Sequence, residues 1–450
     1  MKTLIVIPKY RYGGRYIMPL GILYVSAAAK RAGCCVKTLN LNHFDAPFEE
    51  VLRDILRDKE ITCVASGGLS GEFSVVHPLF ETVKKISPHI ATVCGGGLIT
   101  AEPEVAMRAL EYVDIGIIGE GEITFPKVLS ALPNIDELRE IPGIIFREGT
   151  GWFRTPPAPE IADLDSLPCP DYQGFEYAQY LRENHNGFDF DGRPLSPVSI
   201  IGSRSCPYSC TFCFHPTGVH YRKRSLDAIF DEMDFLLKNY RINCIALREE
   251  LFSVDKVRIA EFCRRIKRYR IYWTIQLRVN NVDEEIVKLL ADAKCFAVFI
   301  GIESISDTVL KSMNKKITSA QIEQVLDLAD RYHLHIRSGL IFGDKAETEE
   351  TANQSLDWIK KHRNYIDALQ RPAVTADMLI PFPGSAIYEY AAGKGIITDR
   401  VEYLRMGCPL VNLTSLSDEQ YRGLIRRVQV FSNRPYSFWN GTELEIIEPQ

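Results

Sequence analysis

The chain has 450 residues, more than one hydrophobic core usually holds, and its 46% hydrophobic and 25% charged residues are ordinary for a globular protein. Its formal net charge of −5 gives no reason to expect a nucleic-acid partner, because phosphate binding needs a basic face. We therefore expect two domains and a small-molecule substrate.

Neither a signal peptide nor a membrane span is expected. The first apolar run, Leu4 to Ile7, is too short for a signal-peptide core. A longer run, Met18 to Ala29, is interrupted by Pro19 and Gly21 and is shorter than a bilayer span. We expect a cytoplasmic protein. In that reducing compartment most of the 12 cysteines should be unpaired, and a tight group of them is a metal candidate.

Residues 1–132 alternate short β-rich runs with helical patterns, which predicts a flavodoxin-like or Rossmann-like α/β domain. Its predicted strands are Leu4–Ile7, Val36–Leu41, Ile61–Ala65, Ala91–Cys94 and Val113–Ile118. The small or acidic residues that follow the last three strands include Ser66, Gly67, Gly68, Gly95, Gly96, Gly97, Glu120 and Gly121. Open parallel sheets bind ligands at the carboxyl ends of their strands, so these turns predict a ligand site.

Residues 133–192 are rich in Pro and Asp, which predicts a linker that wraps the domain interface. A second βα series occupies 193–390, and residues 391–450 are predicted to cap it. The strands of that series are predicted at Val198–Ile201, Ile242–Leu247, Ile271–Gln276, Phe296–Ile300, Ile336–Phe342 and Val374–Ile380. Six units are too few for the usual closed barrel of eight, so the pattern predicts a partial (β/α)6 barrel with its site at the strand ends.

Three cysteines, Cys206, Cys210 and Cys213, follow the first strand of this series. Thiolates favour zinc or iron–sulfur clusters. A structural zinc ion would need a fourth ligand, for which His215 and His220 are the candidates, although His215 is very close to Cys213 in sequence. Three cysteines on one loop can instead hold three irons of a 4Fe–4S cluster. The fourth iron would then be open to a substrate or cosubstrate.

These cysteines, with Phe212 before the last of them, resemble the signature of the radical S-adenosylmethionine (SAM) superfamily. Other segments are similar to the motifs of its cobalamin-binding branch. In the second domain these are Tyr221–Ser225, Glu249–Phe252, Gln276–Arg278, Gly301–Ser304 and Pro381–Ser385. In the first domain they are Pro19–Gly21, Gly95–Gly97, Gly119–Glu122 and Leu164–Pro168.

The resemblance implies three cofactors: a 4Fe–4S cluster, SAM and cobalamin. It implies that the unique iron chelates the amino and carboxylate groups of SAM, and that reduction of the cluster releases a 5′-deoxyadenosyl radical. Phe212 would lie at the SAM site, Glu249 or Glu250 would accept hydrogen bonds from the SAM ammonium, Arg278 would pair with its carboxylate, and Glu303 would bind its ribose. The alternative is that these glutamates are solvated helix caps. The small residues after the first-domain strands would hold cobalamin, unless they are turns of a domain that has lost its ligand.

Two features depart from the resembled pattern. Glu249 stands where an aspartate is common, and Phe342-Gly-Asp344 replaces a usual Gly-Leu-Pro. The chain also lacks the Asp-x-His-x-x-Gly loop that supplies a histidine to cobalt in many cobalamin proteins. His43 is the nearest candidate, and we expect it to be an ordinary loop histidine that leaves cobalt without a protein histidine.

The predicted function is C-methylation of an unactivated carbon in a small-molecule or natural-product intermediate. An external electron donor such as flavodoxin or ferredoxin would reduce the cluster. One alternative is a methyl-free radical cyclisation or ring rearrangement with the same cofactors. Another, from a different class, is a non-catalytic metal-stabilised binding protein. The substrate pocket belongs to no motif, so the sequence does not identify the substrate.

Overall fold

The structure is a computed structural model that describes residues 2–10, 16–132, 134–183, 188–190, 193–195, 197–362 and 374–449. The chain divides into two compact units. The first comprises Met1–His185, Phe214–Arg222 and Asp399–Cys408, and the second comprises Asn186–Cys213, Lys223–Thr398 and Pro409–Gln450. Each unit is therefore assembled from separate stretches of the chain.

The first unit contains a seven-stranded sheet in the order β2-β1-β3-β4-β5-β6-β7. Its strands are β1 (Lys2–Ile7), β2 (Cys35–Asn40), β3 (Ile61–Gly67), β4 (Ala91–Gly95), β5 (Ile115–Ile117), β6 (Ile144–Glu148) and β7 (Gly151–Arg154). Its first eight helices are α1 (Leu20–Arg31), α2 (Phe48–Ile55), α3 (Phe73–Ile86), α4 (Gly97–Ala101), α5 (Pro103–Ala109), α6 (Gly121–Ala131), α7 (Ile135–Arg139) and α8 (Tyr177–Glu183).

The first five strands are parallel, as the alternating pattern predicts. Helices can cover both faces of such a sheet, so a continuous apolar run such as Leu4–Ile7 is buried along its whole length. Leu4 and Val6 pack with Leu52 and Leu79 of the helices. The predicted α/β class of this domain is confirmed.

The sheet continues into the stretch predicted as a linker. Strands β6 and β7 form an antiparallel hairpin, and β6 pairs with β5 through Ile115 and Phe146. The turn between them uses Gly149 at φ +58°, a conformation that glycine adopts without steric cost. The apolar run that forms this hairpin is short and is followed by a Pro-rich segment, so the sequence pattern does not predict it. Residues 133, 184–187 and 191–192 of the predicted linker lie outside the described residues.

The second unit is built on a six-stranded parallel sheet in the order β10-β13-β14-β15-β16-β17, which contains all six predicted strands. Its strands are β10 (Pro197–Ile200), β13 (Cys244–Leu247), β14 (Tyr272–Leu277), β15 (Cys295–Glu303), β16 (Ile336–Phe342) and β17 (Val374–Met378). Short strands are β8 (Phe188–Phe190), β9 (Arg193–Leu195), β11 (Ser203–Arg204) and β12 (Arg222–Lys223). The helices are α9 (Leu226–Asn239), α10 (Lys256–Ile266), α11 (Glu284–Asp292), α12 (Asp307–Ser312), α13 (Ser319–Arg331), α14 (Glu349–His362) and α15 (Ala386–Gly393).

The two faces of this sheet differ in exposure. Ile275 and Val298 pair in register and are buried, so their face packs against the helices. The next residues, Gln276, Phe299 and Arg337, form a row across β14, β15 and β16 on the opposite face. Gln276 is exposed and the other two are partly exposed. This second face, which we call the inner face, is the open side of the predicted partial barrel.

The residues after α15 are shared between the units. Helix α16 (Arg400–Arg405) belongs to the first unit, where it contacts α5. Helix α17 (Asp418–Ser432) packs on β17 in the second unit, followed by the hairpin of β18 (Tyr436–Trp439) and β19 (Leu444–Ile447). The segment predicted as one cap thus contributes to both units.

Within the described ranges, no helix is long and apolar enough to cross a membrane.

Candidate active site

The three predicted cluster cysteines lie on one loop of the second unit, after β11. Two neighbouring segments fix this loop through Thr211. Its backbone N–H donates to the Met313 carbonyl at 3.0 Å, and its carbonyl accepts from Ile387 N–H at 2.8 Å. Asn314 Nδ2 also donates to the Ser209 carbonyl at 2.8 Å. Residues distant in sequence therefore hold the cysteine loop at the strand ends.

The thiols lie in a positively charged environment. The pKa of Cys210 is held below its usual range by a hydrogen bond from Cys213 and by the nearby Lys315 and Arg278. Burial raises the pKa of Cys206, which lies near Cys210, Glu250 and Arg278. Cations beside a thiolate favour the form that binds metals. These surroundings therefore favour the thiolate form at Cys210, whereas burial raises the pKa of Cys206, and the hydrogen bond to Cys210 together with burial raises that of Cys213.

Arg278, immediately after β14, has polar atoms available for a ligand. Its Nη1 donates to Cys210 Sγ at 3.3 Å, and its guanidinium carbon lies 3.9 Å from the centroid of the Tyr208 ring. Arg278 is 5% exposed, yet its Nε and Nη2 have no hydrogen-bond partner among the described residues. A buried donor without a partner is costly, and a ligand carboxylate would satisfy both atoms. Arg278 thus fits its predicted contact with the SAM carboxylate.

The structure distinguishes the adjacent glutamates that follow β13. Glu249 is buried, and its Oε2 accepts from Gly202 N–H at 3.0 Å. Its Oε1 has no partner in the described part of the chain, and burial raises its pKa to about 8. Glu250 is exposed. A buried carboxyl oxygen without a donor fits a cationic ligand group, so Glu249 is the better candidate for the SAM ammonium.

Glu303, the last residue of β15, is engaged by a lysine that sequence analysis missed. Lys315 Nζ donates to Glu303 Oε1 at 2.6 Å, and both residues are buried. The same Nζ lies 5.7 Å from the centroid of the Phe212 ring. A Cβ at Gly301 would meet Glu303 Oε1 at 2.2 Å, so a larger residue there would displace the side chains of this pair. Any ribose contact of Glu303 would be made beside this ion pair.

Four predicted cobalamin residues of the first unit, all glycines, lie at the adjacent ends of β3 and β4 or directly after them. A Cβ at Gly67 would meet the Gly95 carbonyl oxygen at 2.7 Å, and one at Gly96 would meet the Gly68 oxygen at the same distance. Leu98 N–H donates to that Gly68 carbonyl at 2.9 Å. Only glycine permits this approach of two backbones, which leaves a cradle of main chain at the sheet edge. We call Gly67, Gly68, Gly95 and Gly96 the glycine cradle.

Other predicted cobalamin residues have internal partners. Ser66 Oγ donates to the Val6 carbonyl at 2.8 Å. Glu120 Oε2 accepts from Arg222 Nη1 and from Ile161 N–H, each at 2.6 Å. A Cβ at Gly97 would meet Leu69, Pro216 and Phe214, whereas one at Gly121 would meet Val25. These residues shape the first unit, and their contact with cobalamin remains a prediction.

The histidines proposed as alternative metal ligands are placed differently from the cysteines. His220 Nδ1 lies 3.1 Å from Glu160 Oε2. His215 and His220 belong to the first unit, whereas the cysteines belong to the second. Over the described ranges, no three His, Cys, Asp or Glu side chains surround a position for a single metal ion. A cluster of several irons is a larger body than one ion, and it takes its thiolate ligands at separate irons.

Comparison with protein families identifies two domains. Residues 200–359 match the model of the radical SAM superfamily, and residues 13–129 match that of the B12 binding domain. The first match contains the cysteine loop, Glu249, Arg278 and Glu303. The second contains the glycine cradle. Both matches lie within the domains predicted from the sequence.

Similar proteins support the same assignment. An uncharacterised methyltransferase of Pyrococcus horikoshii is 29% identical, with 97% of this chain and 93% of that protein covered. The anaerobic magnesium-protoporphyrin IX monomethyl ester cyclase of Rubrivivax gelatinosus is 24% identical, with 90% and 72% covered. The structure of the radical SAM methyltransferase TsrM from Kitasatospora setae, with cobalamin and a 4Fe–4S cluster bound, superposes with a TM-score of 0.68. At 20% identity it covers 87% of this chain and 75% of its own, and this likeness shows the fold.

Proposed function

Because the chain belongs to the cobalamin-binding branch of the radical SAM superfamily, we propose that it transfers a methyl group to an unactivated carbon of a small-molecule intermediate. It is an enzyme whose cofactors are a 4Fe–4S cluster, SAM and cobalamin, as predicted. The prediction of an enzyme is therefore confirmed, and the alternative of a non-catalytic binding protein is wrong. The Pyrococcus relative, which spans nearly the whole chain, supports methyl transfer.

The observation that carries the proposal is a buried cationic side chain and a buried carboxyl side chain, at the ends of neighbouring strands, that both have polar atoms available for a ligand. In the described part of the chain, Arg278 has two donors without a hydrogen-bond partner and Glu249 has one such oxygen. A zwitterionic amino-acid group carries one carboxylate and one ammonium, so it matches this pair. We assign the methionine part of SAM to these residues, with Cys206, Cys210 and Cys213 as the cluster ligands.

When bound, the cluster and SAM supply a radical that removes hydrogen from carbon, and cobalamin supplies the methyl group. The protein contributes binding and orientation. Lys315 and Arg278 offset the negative charge of the thiolates, Tyr208 supports the Arg278 guanidinium, and Glu249 orients the cationic group. The glycine cradle holds its ligand by shape. We further propose that an external protein such as flavodoxin or ferredoxin supplies the electron.

A second candidate is a methyl-free cyclisation or rearrangement, which the similarity to the Rubrivivax cyclase favours. Stoichiometry with methyl-labelled SAM separates the two. Methyl transfer consumes one SAM for the radical and another for the methyl group, so deoxyadenosine and S-adenosylhomocysteine should form in about equal amounts, with label in the product. Deoxyadenosine alone, with an unlabelled rearranged product, would establish the alternative.

A further inference from the structure

We propose that the second unit binds a divalent cation that prefers oxygen ligands, of the class of Mg²⁺, Mn²⁺ and Ca²⁺, between the side chains of Asp344, Glu347 and Tyr421. We call these three residues the oxygen site. Asp344 and Glu347 lie between β16 and α14, and Tyr421 lies on α17. The inference goes beyond the proposed function, because it does not depend on which reaction the enzyme performs.

Two carboxyl groups of the oxygen site are buried without a positively charged partner. Asp344 is 0% exposed and Glu347 is 1% exposed. Over the described ranges, neither forms an ion pair with a Lys, Arg or His side chain. The adjacent Lys345 is exposed, and its Nζ lies 4.8 Å from the centroid of the Tyr390 ring. Because buried charges in proteins are usually paired or bound to a metal ion, this carboxyl pair requires a cation or protons.

Hydrogen bonds within the chain leave one of the carboxyl oxygens unsatisfied. Asp344 Oδ1 accepts from Ala346 N–H at 2.9 Å, whereas Asp344 Oδ2 has no partner among the described residues. Glu347 Oε1 accepts from Thr351 Oγ1 at 2.6 Å, and Glu347 Oε2 accepts from Gly343 N–H at 3.3 Å. A carboxylate oxygen can accept more than one contact, so both residues can still bind a cation.

A tyrosine from a different element brings a hydroxyl group to the same place. Tyr421 is 0% exposed, and its hydroxyl has no hydrogen-bond partner in the described part of the chain. A Cβ at Gly343 would meet this hydroxyl oxygen at 3.0 Å, and Gly343 is the residue whose N–H donates to Glu347. A buried hydroxyl without a partner is costly. Tyr421 therefore supports, independently of the carboxyl groups, the presence of a ligand at this site.

The three side chains are close enough to affect one another electrostatically. Burial, with a smaller contribution from the charge of Asp344, raises the pKa of Glu347 to about 7. Burial also raises the pKa of Tyr421, and the charge of Glu347 contributes to that shift. Two carboxylates at such a distance repel each other. A divalent cation would neutralise both of them and remove this repulsion.

The donor atoms define the class of the cation. All of them are oxygens, which Mg²⁺, Mn²⁺ and Ca²⁺ prefer and which softer metals do not require. Over the described ranges, no third His, Cys, Asp or Glu joins the two carboxyl groups. The Tyr421 hydroxyl, main-chain carbonyls and water would therefore complete the coordination.

The oxygen site also gives a role to an unusual segment of the sequence. Asp344 belongs to Phe342-Gly-Asp344, which departs from the resembled family pattern, so the resemblance does not imply this site. A cation bound there would join the end of β16 to α17. It would thereby stabilise the position of the C-terminal helix in the second unit.

Electron paramagnetic resonance with Mn²⁺ tests the site in the anaerobically reconstituted holoenzyme, because the room-temperature signal of hydrated Mn²⁺ is lost on binding. The titration is run at about pH 8, above the raised pKa of Glu347. We expect one Mn²⁺ to bind per chain, in competition with Mg²⁺ or Ca²⁺. Asp344→Asn and Glu347→Gln should each weaken this binding by at least about tenfold, as expected for the loss of a charged ligand. Tyr421→Phe removes a neutral oxygen and should weaken it less.

Glu350→Gln is the matched control, because Glu350 is an exposed acidic residue on α14, and this variant should bind Mn²⁺ as the wild type does. If the variants at the buried carboxyl groups fold poorly, which circular dichroism would report, the wild type still tests the site, since Ca²⁺ or Mg²⁺ should raise its melting temperature. Wild-type protein that binds no Mn²⁺, or a double Asp344→Asn, Glu347→Gln variant that binds it normally, would overturn the proposal. Water and protons would then satisfy these oxygens.

Discussion

The candidate sites of the two units differ in how they would hold a ligand. In the second unit, the buried ionisable side chains of Arg278 and Glu249 carry polar atoms that have no hydrogen-bond partner among the described residues. In the first unit, main-chain atoms of glycines form the cradle, and a charged neighbour such as Glu120 is paired with Arg222. We therefore propose that one site recognises its ligand by charge and the other by shape. Substitutions should affect the two sites through different physical terms.

The largest effect should come from the cysteines. Alanine at Cys206, Cys210 or Cys213 removes one thiolate from the cluster site, and we expect loss of the cluster and abolished SAM cleavage. Iron and sulfide analysis, cluster absorbance and deoxyadenosine production measure this. Cys35→Ala is the control, because Cys35 is an exposed cysteine on β2. Full cluster absorbance and full deoxyadenosine production in all three variants would refute the assignment.

An added side chain in the glycine cradle should weaken cobalamin binding for steric reasons. Gly96 has φ +83°, and an added Cβ would lie 2.7 Å from the Gly68 carbonyl oxygen. We expect Gly96→Ala to destabilise the protein by about 1–3 kcal/mol and to weaken cobalamin binding. Denaturant unfolding and equilibrium binding of cobalamin measure these effects. Gly33→Ala is a matched control, because Gly33 has φ +85° and no atom of the described residues lies within 4 Å of its Cβ position. Equal loss of cobalamin in both variants would show that backbone strain, and not the close approach, is responsible.

The affinity for SAM should depend on the planar donor geometry of Arg278 and not only on its positive charge. Arg278→Lys keeps the positive charge but loses the planar donors, Nε and Nη2, that have no partner in the described structure. We expect SAM to bind about tenfold more weakly, with the cluster retained. Equilibrium binding to the reconstituted protein measures the affinity, and iron content serves as the control. Unchanged affinity would show that the carboxylate of SAM lies elsewhere.

A smaller effect should appear as pH dependence of SAM binding. The pKa of Glu249 is raised to about 8 by burial, so its carboxyl group is largely protonated at pH 7 without a ligand. The anionic form accepts hydrogen bonds from the ammonium, so the affinity attributable to Glu249 should rise from pH 7 to about pH 8 and fall above it, where the amino group of SAM loses its proton. The amino group of SAM itself titrates at about pH 8, and the ratio of wild type to Glu249→Gln isolates the contribution of the protein.

The same shift gives an independent stability test. A carboxyl whose folded pKa is raised contributes stability that is complete below its usual pKa and is lost as pH rises through about 8. In ligand-free protein, the unfolding free energy of Glu249→Gln should therefore increase relative to that of the wild type as the pH rises from 5 to 9. Parallel pH profiles for the two proteins would contradict the raised pKa.

Much of this architecture could be predicted from local sequence. The six β-rich runs of the second unit correspond to six adjacent parallel strands. They could be predicted because buried parallel strands have continuous apolar sequences. The hairpin of β6 and β7 was not predicted, because its apolar run is short and a Pro-rich segment follows it. Lys315 was missed because only the folded chain brings it to Glu303. The sequence could not distinguish the roles of Glu249 and Glu250, because the two residues differ in burial and only the folded structure shows that difference.

The smallest expected effect concerns His43, the histidine nearest to a cobalt-binding motif. Its side chain is 2% exposed and has local partners, with Nε2 3.0 Å from Asn40 Nδ2 and Nδ1 3.3 Å from Glu176 Oε2. Loss of these hydrogen bonds in His43→Ala should cost about 1 kcal/mol of stability and leave the bound cobalamin spectrum unchanged. Glu176→Ala removes one partner and should likewise leave the spectrum intact. Loss of cobalamin from a folded His43→Ala variant would mean that this ring reaches cobalt. The cradle would then use a side chain as well as shape, and the contrast between the two units would fail.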